Sequence, residues 1–376
     1  MRGDFKFTAF ASGNGDTLLL EAHHKVVLTD VRYRTDQAQD PENDQVPCFR
    51  QDLHDACGDG HLDIFILTHP DQDHLGGFCE LFHCSAPDVW RYDASSGAAK
   101  LLVDEIWCSP YAANPHYTTD ASKPLVDEIK RRAKLAGTSN GLLPGNRLVI
   151  MDAESHPSGA VVDGLEWRLL APTRAEWNIP KAAANETPTS SNPTSLVMQW
   201  TIQRGWGDSK ILICGDTCVE VLERLHNEVL SDNPEHLEWH ILIAPHHCSR
   251  RSIGRVWNSG SKDEEFEQSD KALAALSQKL GNGFVVASSK RVIRSGSTPP
   301  SFHAKNRYLR ILAGSGEIND EVRQRFVCTG GNTDDETPAH VIFSLNVTGP
   351  SLAARAKPAA RTIGTASSVG RGGGYG

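Results

Sequence analysis

Short apolar runs alternate with amphipathic segments along the middle of this 376-residue chain. Continuous apolar runs at residues 62–67, 210–214 and 237–244 predict buried β-strands, because each is too short for a core helix and is bounded by polar residues. Apolar positions at helical spacing predict helices over residues 219–230 and 302–312. Strands that alternate with helices are typical of an α/β fold.

Each of the three apolar strands ends in residues that bind metal ions in other proteins. The first is followed by His-Pro-Asp-Gln-Asp-His at residues 69–74, the second by Gly-Asp at 215–216, and the third by His-His at 246–247. A buried carboxylate or imidazole costs several kcal/mol unless it is paired or bound to a cation. Strand ends of an α/β sheet open into a common crevice. The candidate ligands are therefore His69, Asp71, Asp73, His74, Asp216, His246 and His247.

The chemistry of these side chains indicates the metal. Imidazole nitrogens and carboxylate oxygens without a thiolate suit zinc or manganese. A set rich in carboxylates favours two ions, because one aspartate can bridge them. The sequence therefore predicts a site for two divalent metal ions, zinc or manganese.

Composition limits the class of protein. The chain is 39% apolar and 23% charged, with a mean hydropathy of −0.38, as in globular proteins. No apolar run approaches the roughly 18–20 residues that span a bilayer, and the N-terminus lacks the apolar segment of a signal peptide. Nine cysteines without close pairing motifs are typical of reduced, buried thiols. We therefore expect a cytoplasmic protein without a membrane partner.

Charge is distributed unevenly. The chain carries a net charge of −9, but residues 245–312 contain twelve Lys or Arg against five Asp or Glu. A basic zone beside the predicted site suits an anionic substrate, and arginine makes bidentate contacts with phosphate. Candidate substrate-binding residues are Arg250, Arg251 and Arg291. The alternative, equally weighted, is that these arginines lie on solvated helix faces.

The three strand-end motifs resemble those of the metallo-β-lactamase fold in type and order. Asp71 stands where that signature has a second histidine, and Leu-Gly-Gly follows the motif. This variant resembles the hydrolase domain of bacterial DNA-internalisation competence proteins, as do the segments Gly-Asn-Gly-Asp-Thr-Leu-Leu-Leu (13–20) and Asn-Pro-Thr-Ser-Leu-Val (192–197). The resemblance implies a four-layer αββα sandwich with two mixed β-sheets. We expect this domain over residues 1–347 and a flexible Ala/Pro/Gly-rich tail over 348–376.

The resemblance also implies how the ligands are shared. It gives one ion His69 and Asp71, the second ion Asp73, His74 and one of His246 and His247, and both ions Asp216. Which of the two adjacent histidines is the ligand stays open, and the other would lie behind the ligands or touch the substrate. The first ion is then one protein ligand short. Asp30 lies at the end of a predicted strand over residues 25–31 and is a candidate hydrogen-bond partner of a metal ligand. The alternative is that it has no role in the site.

A metal-bridging hydroxide would attack phosphorus or a carbonyl carbon in such a site. Asp73 is the candidate to orient the nucleophile, and the resemblance implies a further catalytic role for His303. The expected function is a phosphodiesterase or nuclease acting on nucleic acid or nucleotides. An ester, lactone or thioester hydrolase and a non-catalytic sensor or scaffold are the alternatives. The sequence leaves the protein partners open.

Overall fold

The structure of the protein is a computed structural model that describes residues 5–33, 49–96, 98–181, 190–203, 207–258, 265–294, 299–346 and 349–356. The strands are β1 Phe5–Ala9, β2 Leu18–Ala22, β3 Lys25–Thr29, β4 His61–Leu67, β5 Leu102–Cys108, β6 Arg147–Ile150, β7 Ser158–Val162, β8 Leu165–Ala171, β9 Val197–Gln203, β10 Asp208–Ile213, β11 Trp239–Ile243, β12 Gly254–Trp257, β13 Glu265–Gln268, β14 Lys279–Ala287, β15 Phe326–Cys328, β16 His340–Asn346 and β17 Gly349–Ala356. The helices are α1 Phe49–Cys57, α2 Gln72–Leu75, α3 Phe78–Leu81, α4 Pro110–Ala113, α5 Lys123–Ala133, α6 Arg174–Trp177, α7 Val219–Leu225, α8 Asp270–Leu276, α9 Phe302–Ala313 and α10 Asp320–Gln324.

Two large mixed sheets form the centre of the protein. The first has eight strands in the order β17-β16-β1-β2-β3-β4-β5-β6, and its strands from β3 to β6 are parallel. The second has seven strands in the order β15-β14-β11-β10-β9-β8-β7, and its strands from β10 to β15 are parallel. A separate ribbon pairs β12 with β13.

Apolar side chains divide the interior into three layers of packing. One cluster fills the space between the sheets and includes Phe7 of β1 and Trp200 of β9. A second joins the outer face of the second sheet to α7, α8 and α9, and a third joins the outer face of the first sheet to α1 and α5. The layers therefore run helix, sheet, sheet, helix, which confirms the predicted αββα sandwich with two mixed sheets.

The residues that end and follow the His-x-Asp-x-Asp-His motif do not form one continuous helix. Two four-residue helices, α2 and α3, take its place, separated by Gly76 and Gly77. Gly77 has a φ of 76°, and a Cβ there would lie 2.4 Å from the carbonyl oxygen of Tyr33. Only glycine fits such a close approach of two backbone segments.

The expectation of a tail beginning at residue 348 is wrong for its first residues. Residues 349–356 form β17, which pairs antiparallel with β16 at the edge of the first sheet. An edge strand needs backbone hydrogen bonds on one side and few apolar side chains, so the composition of this segment did not reveal it. Residues 357–376, the remainder of the predicted tail, lie outside the described part of the chain.

Two findings concern the predicted compartment. Cys79 and Cys84 form a disulfide, so the expectation of reduced thiols is wrong for this pair. The disulfide lies in α3 and the segment after it, and neither cysteine belongs to a short pairing motif that the sequence would reveal. Among the described residues, no helix is long and apolar enough to cross a membrane.

Candidate metal centre

The seven candidate ligands lie together at the carboxyl ends of β4, β10 and β11. The ligand atoms of Asp73, His74, Asp216 and His247 all lie within 4.8 Å of one another. Residues 69–74 follow a strand of the first sheet, whereas Asp216 and the two adjacent histidines follow strands of the second. The site therefore spans the junction of the two sheets.

Asp216 lies at the centre of the cluster and faces four imidazole rings. The Nε2 atoms of the histidines lie 3.9 Å (His69), 3.0 Å (His74), 3.4 Å (His246) and 3.3 Å (His247) from its carboxylate. His69 and His246 approach Oδ2, whereas His74 and His247 approach Oδ1. One carboxylate thus separates two pairs of histidines, as a bridging ligand would.

Asp71 and Asp73 add one carboxylate to each pair. Asp71 Oδ2 lies 3.5 Å from His69 Nε2, and Asp73 Oδ2 lies 3.4 Å from His247 Nε2. The other oxygen of Asp71 accepts a hydrogen bond from the hydroxyl of Ser191. The side chains of Asp71 and Asp73 are 44% and 37% exposed, so the cluster is open to solvent on their side.

The Nδ1 atom of each buried imidazole in the cluster contacts a polar group of a neighbouring residue. His74 Nδ1 lies 2.7 Å from Asp30 Oδ2, His69 Nδ1 lies 3.2 Å from Thr68 Oγ1, and His247 Nδ1 lies 3.2 Å from the carbonyl oxygen of Ser288. Histidines that bind metal ions are oriented by such partners, which leave Nε2 for the ion. The expected contact of Asp30 with a ligand is therefore present.

Asp30 is fully buried and accepts two further hydrogen bonds. The backbone N–H of Thr68 donates to Oδ1 over 2.8 Å, and the Thr68 hydroxyl donates to Oδ2 over 2.6 Å. Burial raises the pKa of Asp30, and the neighbouring His74 opposes that shift. The sequence placed this aspartate at a strand end but contained no indication of its three donors.

Opposite charges shift the titration of the cluster. Burial alone would lower the pKa of His247, but Asp216 and the other nearby carboxylates outweigh it and raise this pKa to about 10. Burial opposes the ionised form of Asp216, yet His247, His74 and His246 hold the pKa of Asp216 well below its usual range. Asp73 likewise has a lowered pKa, because His247 and His74 outweigh its burial. The carboxylates are therefore ionised, which is the form that binds a cation.

The backbone is strained at the two sides of the cluster. His246, His247 and Cys248 have φ angles of 49°, 52° and 66°, and Asp30 has a φ of 56°. Residues with side chains rarely adopt this left-handed region, which costs roughly 1–2 kcal/mol each. Such strain concentrates at functional sites, where the surrounding structure holds it in place.

The cluster fits divalent cations. His69 Nε2 and Asp216 Oδ1 are buried and have no hydrogen-bond partner of acceptable geometry among the described residues. In the set of Asp73, His74, Asp216 and His247, four distances between ligand atoms run from 3.0 to 3.4 Å. Ligands at about 2.0–2.2 Å around a tetrahedral zinc ion are about 3.3–3.6 Å apart. The spacing is therefore close to that of a tetrahedral site.

In the described part of the chain, three of the cavities have candidate ligands in their lining. One of about 820 Å³ has Asp73 and Arg32 in its wall, and one of about 320 Å³ is lined by Asp71, Asp73 and a group of hydroxyl side chains. A third, of about 410 Å³, brings His246 and Arg251 into one wall. Substrate can therefore reach the ligands from several directions.

The other predicted site residues lie in different surroundings. His303 packs against the edge of the Phe266 ring, and none of its described contacts is with the cluster. Arg291 donates to the carbonyl oxygen of Thr333 and pairs with Asp334. The segment over residues 250–252 carries Arg250 beside Arg251, and Arg251 lines a cavity that also contains the candidate ligand His246. Of the basic residues predicted to bind substrate, Arg251 is the one that the described cavities place near the cluster.

Several residues of the site were missed by sequence reasoning. Asp16 is buried behind His247, with Oδ1 3.7 Å from His247 Nδ1, and Ser191 holds Asp71. Asn192 Nδ2 lies 3.4 Å from His246 Nδ1. Asp16 and Asn192 stand in the two segments that carry the resemblance to competence proteins, so these segments already contained a signal.

The helix, sheet, sheet, helix layers of the protein are those of the metallo-β-lactamase sandwich fold. Solved structures similar to this chain include the metallo-β-lactamase fold protein YhfI from Bacillus subtilis, with 11% identity, a TM-score of 0.31 and coverage of 64% of this chain and 70% of YhfI. Unliganded yeast PDE1 is also similar, with 13% identity, a TM-score of 0.44 and coverage of 87% and 98%. A mutant of the CmlA β-hydroxylase matches with 11% identity, a TM-score of 0.40 and coverage of 92% and 54%.

No family model and no curated protein matches the chain. The structural matches do not show the predicted resemblance to competence proteins, which stays a prediction. With identities below 15% and TM-scores below 0.5, these matches leave the activity to be inferred from the residues of the site.

Proposed function

We propose that this protein is a metal-dependent hydrolase that cleaves phosphodiester bonds in nucleic acid or nucleotides. The observation that carries the proposal is the Asp216 carboxylate, whose two oxygens each face a separate pair of imidazole nitrogens. A structural role in the core would not require three buried histidines and a fourth, partly buried one to point at one ionised aspartate.

The donor set indicates which residues would hold the ions. His69 and Asp71 would bind one, Asp73, His74 and His247 the other, and Asp216 both. Two such ions lower the pKa of a bound water and offset negative charge on the oxygens of the scissile group. The rest of the site holds these ligands in place, through Asp30 behind His74 and Ser191 beside Asp71.

Asp73 is suited to orient the attacking water molecule. Its carboxylate is ionised, partly exposed and in the walls of two cavities, whereas the histidines beside it are buried. A carboxylate in this position accepts a hydrogen bond from a water molecule and orients its lone pair. We therefore expect Asp73 to combine metal binding with positioning of the nucleophile.

The choice of phosphodiester over carboxyl ester depends on charge. The cavity of about 410 Å³ beside His246 is lined by Arg251 and Arg255, with Glu220 as a carboxylate on the same lining. A phosphodiester carries one negative charge that a guanidinium binds, whereas a carboxyl ester is neutral. The sequence resemblance to competence proteins points to the same substrate class.

The test is a substrate panel with the metal-loaded protein. We expect turnover of bis(p-nitrophenyl) phosphate and of single-stranded DNA or RNA with Mn²⁺ or Zn²⁺, and its loss in Asp73→Ala. Arg251→Glu should raise KM for the phosphodiester by about 10-fold or more, since it replaces attraction with repulsion. Arg310→Glu, at an exposed position of α9, is the matched control and should leave KM unchanged.

Two results would contradict the proposal. Equal KM values in Arg251→Glu and wild type would remove the argument for an anionic substrate. Hydrolysis of p-nitrophenyl acetate without any hydrolysis of phosphodiesters would assign the site to carboxyl esters instead.

A further inference from the structure

We infer that His246 and His247 are both metal ligands, one for each ion, so that His246 completes the ion site of His69 and Asp71. This inference rests on the proposed two-metal site and assigns a ligand that the sequence pattern leaves open. It makes the two ion sites equivalent in composition. Each would have two imidazole nitrogens, one carboxylate of its own and one oxygen of Asp216.

The backbone allows two adjacent histidines to reach the same carboxylate. In a β-strand, successive side chains point to opposite faces, so only one of an adjacent pair could face Asp216. His246 (φ 49°, ψ 51°) and His247 (φ 52°, ψ 40°) instead form a left-handed turn. A helical turn rotates successive side chains by about 100°. The rings lie 6.0 Å apart with planes at 80°, and each approaches a different oxygen.

The first set of ligand atoms has distances close to those of the second. His246 Nε2 lies 3.4 Å from Asp216 Oδ2, and His69 Nε2 lies 3.5 Å from Asp71 Oδ2 and 3.9 Å from Asp216 Oδ2. Two of these three distances lie within the edge of about 3.3–3.6 Å expected around a tetrahedral zinc ion. The third needs to shorten by a few tenths of an ångström.

The other nitrogen of His246 has a partner of the kind that orients a metal-binding histidine. The side-chain amide of Asn192 lies 3.4 Å from His246 Nδ1, and its second atom contacts the hydroxyl of Ser190 at 2.8 Å. The two ends of an amide are nearly indistinguishable, and the serine hydroxyl can donate or accept. With the amide oxygen towards the ring, Asn192 accepts the Nδ1 hydrogen and leaves Nε2 for the ion.

Neighbouring backbone groups hold the strained turn in place. The N–H of His246 donates to the carbonyl oxygen of Gly215 over 2.9 Å, which ties the turn to the residue before Asp216. The N–H of Ser301 donates to the carbonyl oxygen of Cys248 over 2.9 Å. Three consecutive left-handed residues cost roughly 3–6 kcal/mol together. Placing two ligands on the two sides of one carboxylate gives this strain a function.

Metal content tests the inference without reference to activity. After loading with zinc and dialysis, we expect wild type to retain two zinc ions per chain and His246→Ala to retain one. Inductively coupled plasma mass spectrometry measures this metal content. His240→Ala is the control and should retain two, because His240 lies on β11, where its Nδ1 accepts from the backbone N–H of Lys210. Two ions in both wild type and His246→Ala would overturn this inference alone. Fewer than two ions in wild type would overturn the proposed two-metal function with it.

A second variant gives a direct spectroscopic signature. His246→Cys loaded with Co²⁺ should show a sulfur-to-cobalt charge-transfer band in the near ultraviolet that wild type and the control His303→Cys lack. Circular dichroism checks that each variant is folded. Binding of one cobalt ion fewer by His246→Cys than by wild type would also support the inference. Two bound cobalt ions without the band would overturn it.

Discussion

Asp30 offers the sharpest test of how the site is held together. Replacing it with asparagine keeps the shape of the side chain and removes its charge. Asparagine also tolerates the left-handed backbone at this position, where φ is 56°, so the substitution adds little strain. The variant therefore isolates the contact between Asp30 Oδ2 and His74 Nδ1, which are 2.7 Å apart.

The expected magnitude is set by the hydrogen bonds that Asp30 accepts. Three donors face its two oxygens, namely the N–H and hydroxyl of Thr68 and Nδ1 of His74. Asparagine has one acceptor oxygen, and its amide nitrogen would face a donor. Loss of a partner behind a ligating histidine typically weakens metal binding 10–100-fold, or about 1.4–2.7 kcal/mol. A buried donor left without an acceptor costs about 1–3 kcal/mol of stability in addition.

Competition with a chromophoric chelator measures the affinity for each ion, and circular dichroism shows that the variant is folded under the assay conditions. We expect Asp30→Asn to weaken binding of the ion that His74 would ligate and to leave the affinity for the other ion nearly unchanged. Asp63→Asn is the matched control, because Asp63 lies on β4 and accepts from Lys25 and a backbone N–H, away from the cluster. Wild-type affinity for both ions in Asp30→Asn would refute this account of the site.

Three further predictions concern stability, each measured by urea denaturation or thermal unfolding. Gly215→Ala should lower the free energy of unfolding by roughly 2–3 kcal/mol, because φ is 50° and an added Cβ would lie 3.0 Å from neighbouring atoms. Its control, Gly281→Ala, has a similar φ and open space around the added Cβ, and should cost only about 1 kcal/mol. Glu128→Gln should cost about 3–5 kcal/mol by leaving the buried Arg132 without its ion pair, whereas Asp127→Asn, at an exposed pair, should change stability by less than about 0.5 kcal/mol. Metal at 100 times its Kd should stabilise the protein by about 2.7 kcal/mol, and a chelator should reverse this. Equal losses of stability within either matched pair of variants, or a melting temperature that does not respond to metal, would contradict these expectations.

The sequence predicted the parts of the site that depend on local pattern. Buried strands cannot contain ionised side chains, so a run such as Ile64–Leu67 followed by histidines and aspartates indicates both a strand end and a cluster. Three such ends indicate one shared site, and the structure divides its residues between the ends of two sheets. The αββα architecture followed from the resemblance of these motifs to a known fold.

The remaining features depend on geometry that residue types do not encode. The two orientations of His246 and His247 arise from left-handed backbone angles, which the sequence His-His does not favour. Charge and order along the chain predict roles for Arg291 and His303, whereas their contacts in the structure include Asp334 and Phe266, which lie 43 and 37 positions away. Strand β17 escaped detection because an edge strand can be small and polar.

The position of β16 between β1 and β17 has a consequence for synthesis of the chain. β1 pairs with β2 on one side, but its other partner, β16, begins at His340. The second sheet, by contrast, lies wholly between residues 158 and 328 and can assemble first. Until residues 340–346 have left the ribosome, the edge of β1 that faces away from β2 keeps unpaired backbone groups. Truncation before residue 340 would therefore leave a permanent site for intermolecular strand pairing, and we expect aggregation rather than a smaller folded protein.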